Sequence, residues 1–217
     1  MKNREKMIAL TAFIMVALFA GAAYYFKNKK AEEQRLILEN NRKRLVKDYS
    51  PVYGNTNAPV EIVEFLDPEC ESCKKFYPFV KKILNNFNGK VKLVVRYAPF
   101  HKNSIFALKI LEAARNQNKY WETMTTLFEM QPQWGDHHNP KPMLIWNYLP
   151  DLGLDISQIK IDMESDEIMN RINTDIEDGK FLNVKKTPTF FVNGRPLQEF
   201  GYRQLFDLVK KTVEELD

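Results

Sequence analysis

The chain has 217 residues, 44% apolar and 28% charged, a balance that suits one globular domain with appendages and argues against wholesale disorder. The formal charge of +4 is concentrated at one end: residues 1–30 hold Lys2, Arg4, Lys6, Lys27, Lys29 and Lys30 against Glu5 alone, leaving 26 basic and 27 acidic residues in the remainder. No basic field is left there to attract nucleic acid.

Met7 to Phe26 is a run of 20 residues without a charge, about the length that crosses a bilayer as a helix. Cations precede it, and Tyr24, Tyr25 and Phe26 close it like an interfacial belt before Lys27, Lys29 and Lys30. A cleaved signal peptide is the alternative, because Ala20-Gly21-Ala22 has the small-x-small pattern of a cleavage site. The length of the run favours an uncleaved anchor spanning residues 7–26, with residues 1–30 as the anchoring segment. Either way the rest of the chain is exported: held at the outer face of the cell membrane if the anchor stays, periplasmic or secreted if it is cut.

Residues 31–50 are highly charged and free of Gly and Pro, and Leu38 and Leu45 lie seven apart with Leu36, Ile37 and Val46 beside them. That pattern predicts a helical stalk, with self-association as the sharper alternative. "PVYGNTNAP" then reads as a linker, so residues 31–58 form stalk and linker and the domain begins at 59.

From Val60 the chain alternates in the manner of an α/β domain. "PVEIVEFLD" predicts a buried strand, and Cys70 to about Asn88 a helix with Phe76, Val80, Ile83, Leu84 and Phe87 at helical spacing. "KVKLVVRYAPF" predicts the next strand. Helices are expected over 104–116, 120–130, 142–149 and 156–183. "TPTFFVNGRPLQEF" predicts a hairpin through Asn193-Gly194, and 202–216 a closing amphipathic helix.

The chain has two cysteines, Cys70 and Cys73, at the predicted strand-to-helix junction. Backbone N–H groups and the positive end of the helix dipole would stabilise a Cys70 thiolate, making it the nucleophile. Cys73, one turn on, could close a disulfide with it and resolve a mixed disulfide. A structural zinc site needs four ligands, and only His101, His137 and His138 could add to the pair, so no metal site is expected. A structural disulfide over so short a loop removes little chain entropy. Two inert buried thiols complete the alternatives. His101 reads as a packing or capping residue. "QWGDHHNPKP" reads as an exposed loop, with adventitious metal binding at His137-His138 as the alternative.

On these residues the segment from about Pro59 to Asp217 resembles the DsbA-like branch of the thioredoxin superfamily. The likeness rests on Cys70-Glu71-Ser72-Cys73 after a hydrophobic strand, on Glu64 six residues before Cys70, on Pro78 five residues after Cys73, and on Thr187-Pro188 before the hairpin. The long helical region between the second strand and that hairpin resembles the helical insertion of the branch. The resemblance implies a thioredoxin fold with that insertion, and a thiol–disulfide oxidoreductase that needs no cofactor beyond the Cys70–Cys73 pair. It implies catalytic roles for Cys70, Cys73 and a proton-relaying Glu64, with a cis-proline loop at Thr187 and Pro188 holding the substrate peptide. Implied partners are cysteine-containing exported proteins and a membrane redox partner that recycles the disulfide.

Glu71 and Ser72 tune the pair. In place of the Pro-His common in strongly oxidising relatives, Glu71 with nearby Asp67 and Glu69 is expected to raise the Cys70 pKa and make the disulfide less oxidising. Disulfide formation is preferred from the architecture. A reductase or an oligomeric isomerase of the same fold, and a metal-binding or chaperone-like module using the two thiols, remain the alternatives.

Overall fold

The structure is a computed structural model that describes residues 2–216, with side chains except at 2–14, 16, 17, 31, 34, 37 and 38. The chain divides into two compact units, residues 1–41 and 42–217. The first is helical: α1 runs Lys2–Leu45, its last turn belonging to the second unit. Every described side chain from 15 to 40 is exposed, including Met15, Leu18, Phe19 and the aromatic run Tyr24–Phe26. Much of the proposed membrane run and of the stalk's apolar stripe (Ile37, Leu38) lies outside the described side chains. Among the described residues no helix is long and apolar enough to cross a membrane.

The second unit is built on a sheet of order β1-β3-β2-β4-β5. The strands are β1 (Val52–Gly54), β2 (Val60–Leu66), β3 (Val91–Tyr97), β4 (Thr189–Val192) and β5 (Arg195–Pro196). The helices after α1 are α2 (Glu71–Asn86), α3 (Ser104–Asn116), α4 (Tyr120–Trp134), α5 (Ile145–Tyr148), α6 (Ile156–Asp162), α7 (Asp166–Phe181) and α8 (Tyr202–Glu214). β2 pairs parallel with β3 and antiparallel with β4, and all seven of its residues are buried. A strand covered on both faces needs the near-continuous Val-Ile-Phe-Leu run that the sequence supplies.

The two faces carry separate cores. Val60, Ile62, Leu66, Leu93, Val95, Phe190 and Val192 pack with α2, α3, α4 and α8 on one side. Val63, Phe65, Val94 and Phe191 pack with Leu45 and Val184 on the other. On that second side Arg96, fully buried, lies 2.8 Å from both Asp175 and Asp178 of α7 and donates to the Arg44 carbonyl. Tyr49 and the Tyr97 amide bond the same Asp175, at 2.7 and 2.9 Å.

Three expectations changed with the structure. Part of the expected linker is a strand, β1, paired antiparallel with β3 through Val52 opposite Val94. Leu45 of the expected stalk is fully buried beneath the sheet. The helix expected over 156–183 is two helices, because Ser165 accepts a hydrogen bond from the Ile168 N–H and starts α7 afresh. The hairpin is as predicted: Asn193 and Gly194 both take positive φ, 44° and 82°, as a two-residue turn between twisted strands requires.

Candidate active site

β2 ends at Leu66, and a short loop delivers Cys70 to the N-cap of α2, where its φ and ψ of −80° and 118° leave the first turn's amides open. α2 is an amphipathic helix by sequence: Cys73, Phe76, Tyr77, Val80, Ile83 and Leu84 recur at three and four and all are buried. Pro78 sits inside it, leaving the Lys74 carbonyl without its helical donor. The same periodicity sends Cys73 inward, fully buried, while Cys70 keeps 7% of its surface. Both thiols are free.

The two sulfurs are driven apart chemically. The Cys70 thiol is pulled down to about 5, first by a hydrogen bond from Cys73, then, against the opposing effect of burial, by the Thr187 side chain and the Cys73 and Ser72 amides. Cys73 moves the other way, well above the ordinary thiol range, because burial, the Cys70 charge and Glu64 all disfavour a second thiolate. The Asp67 N–H reaches Cys73 Sγ at 3.5 Å. One sulfur is thus prepared as nucleophile and leaving group, its neighbour as a protonated reserve.

Glu64 lies on the α2 side of β2, in register with Val95 and Phe190, 1% exposed. Burial, then the charge on Cys70, pushes its carboxyl up to about 8. Its Oε2 has no hydrogen-bond partner among the described residues. A neutral acid under the cysteine pair at neutral pH is equipped to give and take a proton.

β4, antiparallel to β2, brings the preceding loop against Cys70. The Thr187–Pro188 peptide bond is cis, and Cys70 Sγ lies 3.3 Å from the Thr187 carbonyl oxygen. Cys70, Cys73, Glu64, Thr187 and Pro188 therefore converge at one place. Glu71 is exposed and Ser72 half-buried at the rim.

The expected acidic penalty on Cys70 does not dominate. Asp67 and Glu69 turn their carboxylates into the β3–α3 loop. Asp67 accepts from the Phe100 N–H, His101 Nδ1 and Ser104 Oγ at 2.8, 2.7 and 2.6 Å, and Glu69 from Asn103 at 2.7 and 2.9 Å. Sequence reasoning missed this junction because no spacing rule links Asp67 to a histidine 34 residues later. Among the described residues no group of three or more His, Cys, Asp and Glu side chains is placed to hold a metal ion.

A family model described as Thioredoxin matches residues 46–211. A thioredoxin-like oxidoreductase from Silicibacter pomeroyi superposes with a TM-score of 0.69 at 27% identity, over 80% of this chain and 98% of that one. BdbD from Bacillus subtilis, oxidised, superposes with a TM-score of 0.65 at 27% identity, over 76% of this chain and 93% of that one. In sequence, 147 residues are 30% identical to the Na(+)/H(+) antiporter NhaA of Herminiimonas arsenicoxydans; that match takes in 68% of this chain and 23% of that protein. The chain spans about a quarter of the length of the curated relatives it matches.

Proposed function

The chain belongs to the thioredoxin family, and we propose that it is a thiol–disulfide oxidoreductase of DsbA-like fold that forms disulfides in exported proteins. The observation that carries the direction is Cys70 at the open N-terminus of α2 with Cys73 fully buried beside it, an arrangement that lowers the first thiol's pKa and raises the second's. A stable Cys70 thiolate favours the reduced form of the pair, which makes the disulfide a strong electron acceptor.

The oxidised pair starts the cycle. A substrate thiolate attacks Cys70 Sγ, the Cys70–Cys73 bond breaks, and Cys73 leaves with the electron pair, taking a proton from Glu64, which is reprotonated from solvent, into which the substrate thiols release their protons. A second substrate thiolate then attacks the substrate sulfur of the mixed disulfide. Cys70 departs as the thiolate that the α2 amides and Thr187 favour. Two electrons have passed from two substrate thiols to the pair, and a substrate disulfide has formed. The Thr187–Pro188 loop, lying against Cys70, holds the substrate backbone.

The catalytic unit works outside the cytoplasm, where disulfides persist, and residues 7–26 anchor it. The uncharged run and the exposed Leu18, Phe19, Tyr24, Tyr25 and Phe26 support that placement. A membrane redox partner withdraws the two electrons and restores the disulfide; no further cofactor takes part. Mixing the oxidised full-length chain with a reduced, unfolded two-cysteine protein tests this reading. Disulfide should appear stoichiometrically in the substrate and be lost in Cys70→Ala; an oxidised chain that leaves the substrate's thiols untouched refutes it.

A further inference from the structure

A cleft of about 400 Å³ opens beside Cys70, lined by Glu71 and Ser72, by His101 from the β3–α3 loop, and by Asp136, His137 and His138 from the loop after α4. All three histidines of the chain meet at the side of one sulfur. None of them lies between the cysteines, and the thiol chemistry described above uses none of them.

His101 is anchored by a buried carboxylate. Its Nδ1 is 2.7 Å from Asp67 Oδ2, and Asp67 is fully buried. The same carboxylate receives the Glu69, Phe100 and His101 amides and the Ser104 hydroxyl, so it acts as an acceptor throughout and Nδ1 carries the hydrogen. That fixes the ring and leaves Nε2 as the nitrogen that titrates. The His137 ring packs against it edge to face, centroids 4.9 Å apart.

We propose that His101, oriented by Asp67, is the positioning group that sets how strongly Cys70 prefers the thiolate, and that its own proton is gained and lost with the redox state of the pair. The proposal rests on the disulfide-exchange reading above and deepens it. As a substrate dithiol reduces the pair, the S–S bond breaks, Cys73 takes one proton, Cys70 keeps its charge, and His101 takes a second proton from solvent. As a disulfide-bearing partner reoxidises the pair, the Cys70 charge disappears and the imidazolium gives its proton back. Coupling between two sites is reciprocal, so the factor by which the thiolate tightens the imidazole proton equals the factor by which the imidazolium acidifies the thiol.

The groups around the ring set the sign. Asp67, Glu69 and Cys70 face it from the β2–α2 loop, and Glu71, Asp136, His137 and His138 share its cleft. Burial works against the imidazolium, but the Asp67 hydrogen bond and the charges on Asp67, Cys70 and Glu69 outweigh it and raise its pKa. Removing the Cys70 charge removes one of those supports.

With three histidines in the chain, the imidazole signals of the full-length protein in detergent micelles can be titrated by NMR in the dithiol and disulfide forms, with His101 assigned by eliminating His137→Gln and His138→Gln. The His101 midpoint should be higher in the dithiol form, by roughly tenfold in proton affinity, within the usual range of site–site coupling. In His101→Gln, the midpoint of Cys70 alkylation should rise by the same factor, and the glutathione equilibrium should move about tenfold toward the disulfide. Equal His101 midpoints in both redox forms overturn the proposal. So does a His101→Gln chain whose alkylation midpoint and glutathione equilibrium match the wild type. A wild-type pair with no reversible couple at all would instead sink the oxidoreductase reading on which the proposal stands.

Discussion

Glu64→Gln isolates the energetic burden that the active site places on the fold. The Glu64 carboxyl is raised from 4.5 to about 8 by burial and then by the Cys70 charge. Below pH 4.5 the group is protonated in both folded and unfolded chains and stability is unaffected. Above it the unfolded chain ionises while the folded one does not, so stability falls by about 1.4 kcal/mol per pH unit until the folded group titrates near 8. At pH 7 the burden is about 3 kcal/mol. Glutamine keeps the shape and removes the titration. Urea unfolding of reduced wild-type and Glu64→Gln chains between pH 4 and 8 should give curves that converge at pH 4. The variant should be more stable by about 3 kcal/mol at pH 7, with disulfide exchange slowed because the proton relay is gone. The Cys70 contribution is common to both proteins and drops out of the difference. Parallel curves across that range would refute the assignment of Glu64 as a buried, neutral acid.

Two further outcomes follow from named contacts. Removing Arg96 leaves Asp175 and Asp178 without their buried guanidinium, so Arg96→Ala should cost about 3–5 kcal/mol in urea unfolding; a loss under 1 kcal/mol would mean that the network contributes little. The alkylation rate of reduced Cys70 should rise with pH about a midpoint near 5, and Cys73→Ala should move that midpoint upward, because the Cys73 hydrogen bond is the largest influence lowering it. An unmoved midpoint would remove Cys73 from the causes of that acidity.

The parts of this protein that were legible in its sequence are those written in local periodicity. Phe76, Val80, Ile83 and Leu84 announce a helix with a buried face, and the apolar run at Val60–Leu66 a buried strand. Asn193-Gly194 announces the turn that brings β4 back beside β2. Long-range pairings escaped. Val52–Gly54 is too short and too close to turn residues to read as a strand until β3 supplies its partner. Arg96 looks like a polar interruption in a strand until Asp175 and Asp178 arrive from α7. The acidic residues near Cys70 were legible as charges, but their direction was not: Asp67 and Glu69 spend their lone pairs on the β3–α3 loop, and a count of nearby acids cannot show that. The Asp67–His101 contact escaped for the same reason, since it joins residues 34 apart in the chain.

As the proposed disulfide donor, the protein holds Cys70 and Cys73 as an oxidising redox pair. Equilibrating the full-length chain in detergent with glutathione buffers, and trapping the thiols at each ratio, measures it most directly. The predicted result is one reversible two-electron couple, lost in Cys70→Ala, with a potential closer to the roughly −120 mV of strong disulfide donors than to the roughly −270 mV of reductases. A couple at the reducing end would contradict the assigned direction, and no reversible couple would contradict the enzyme itself.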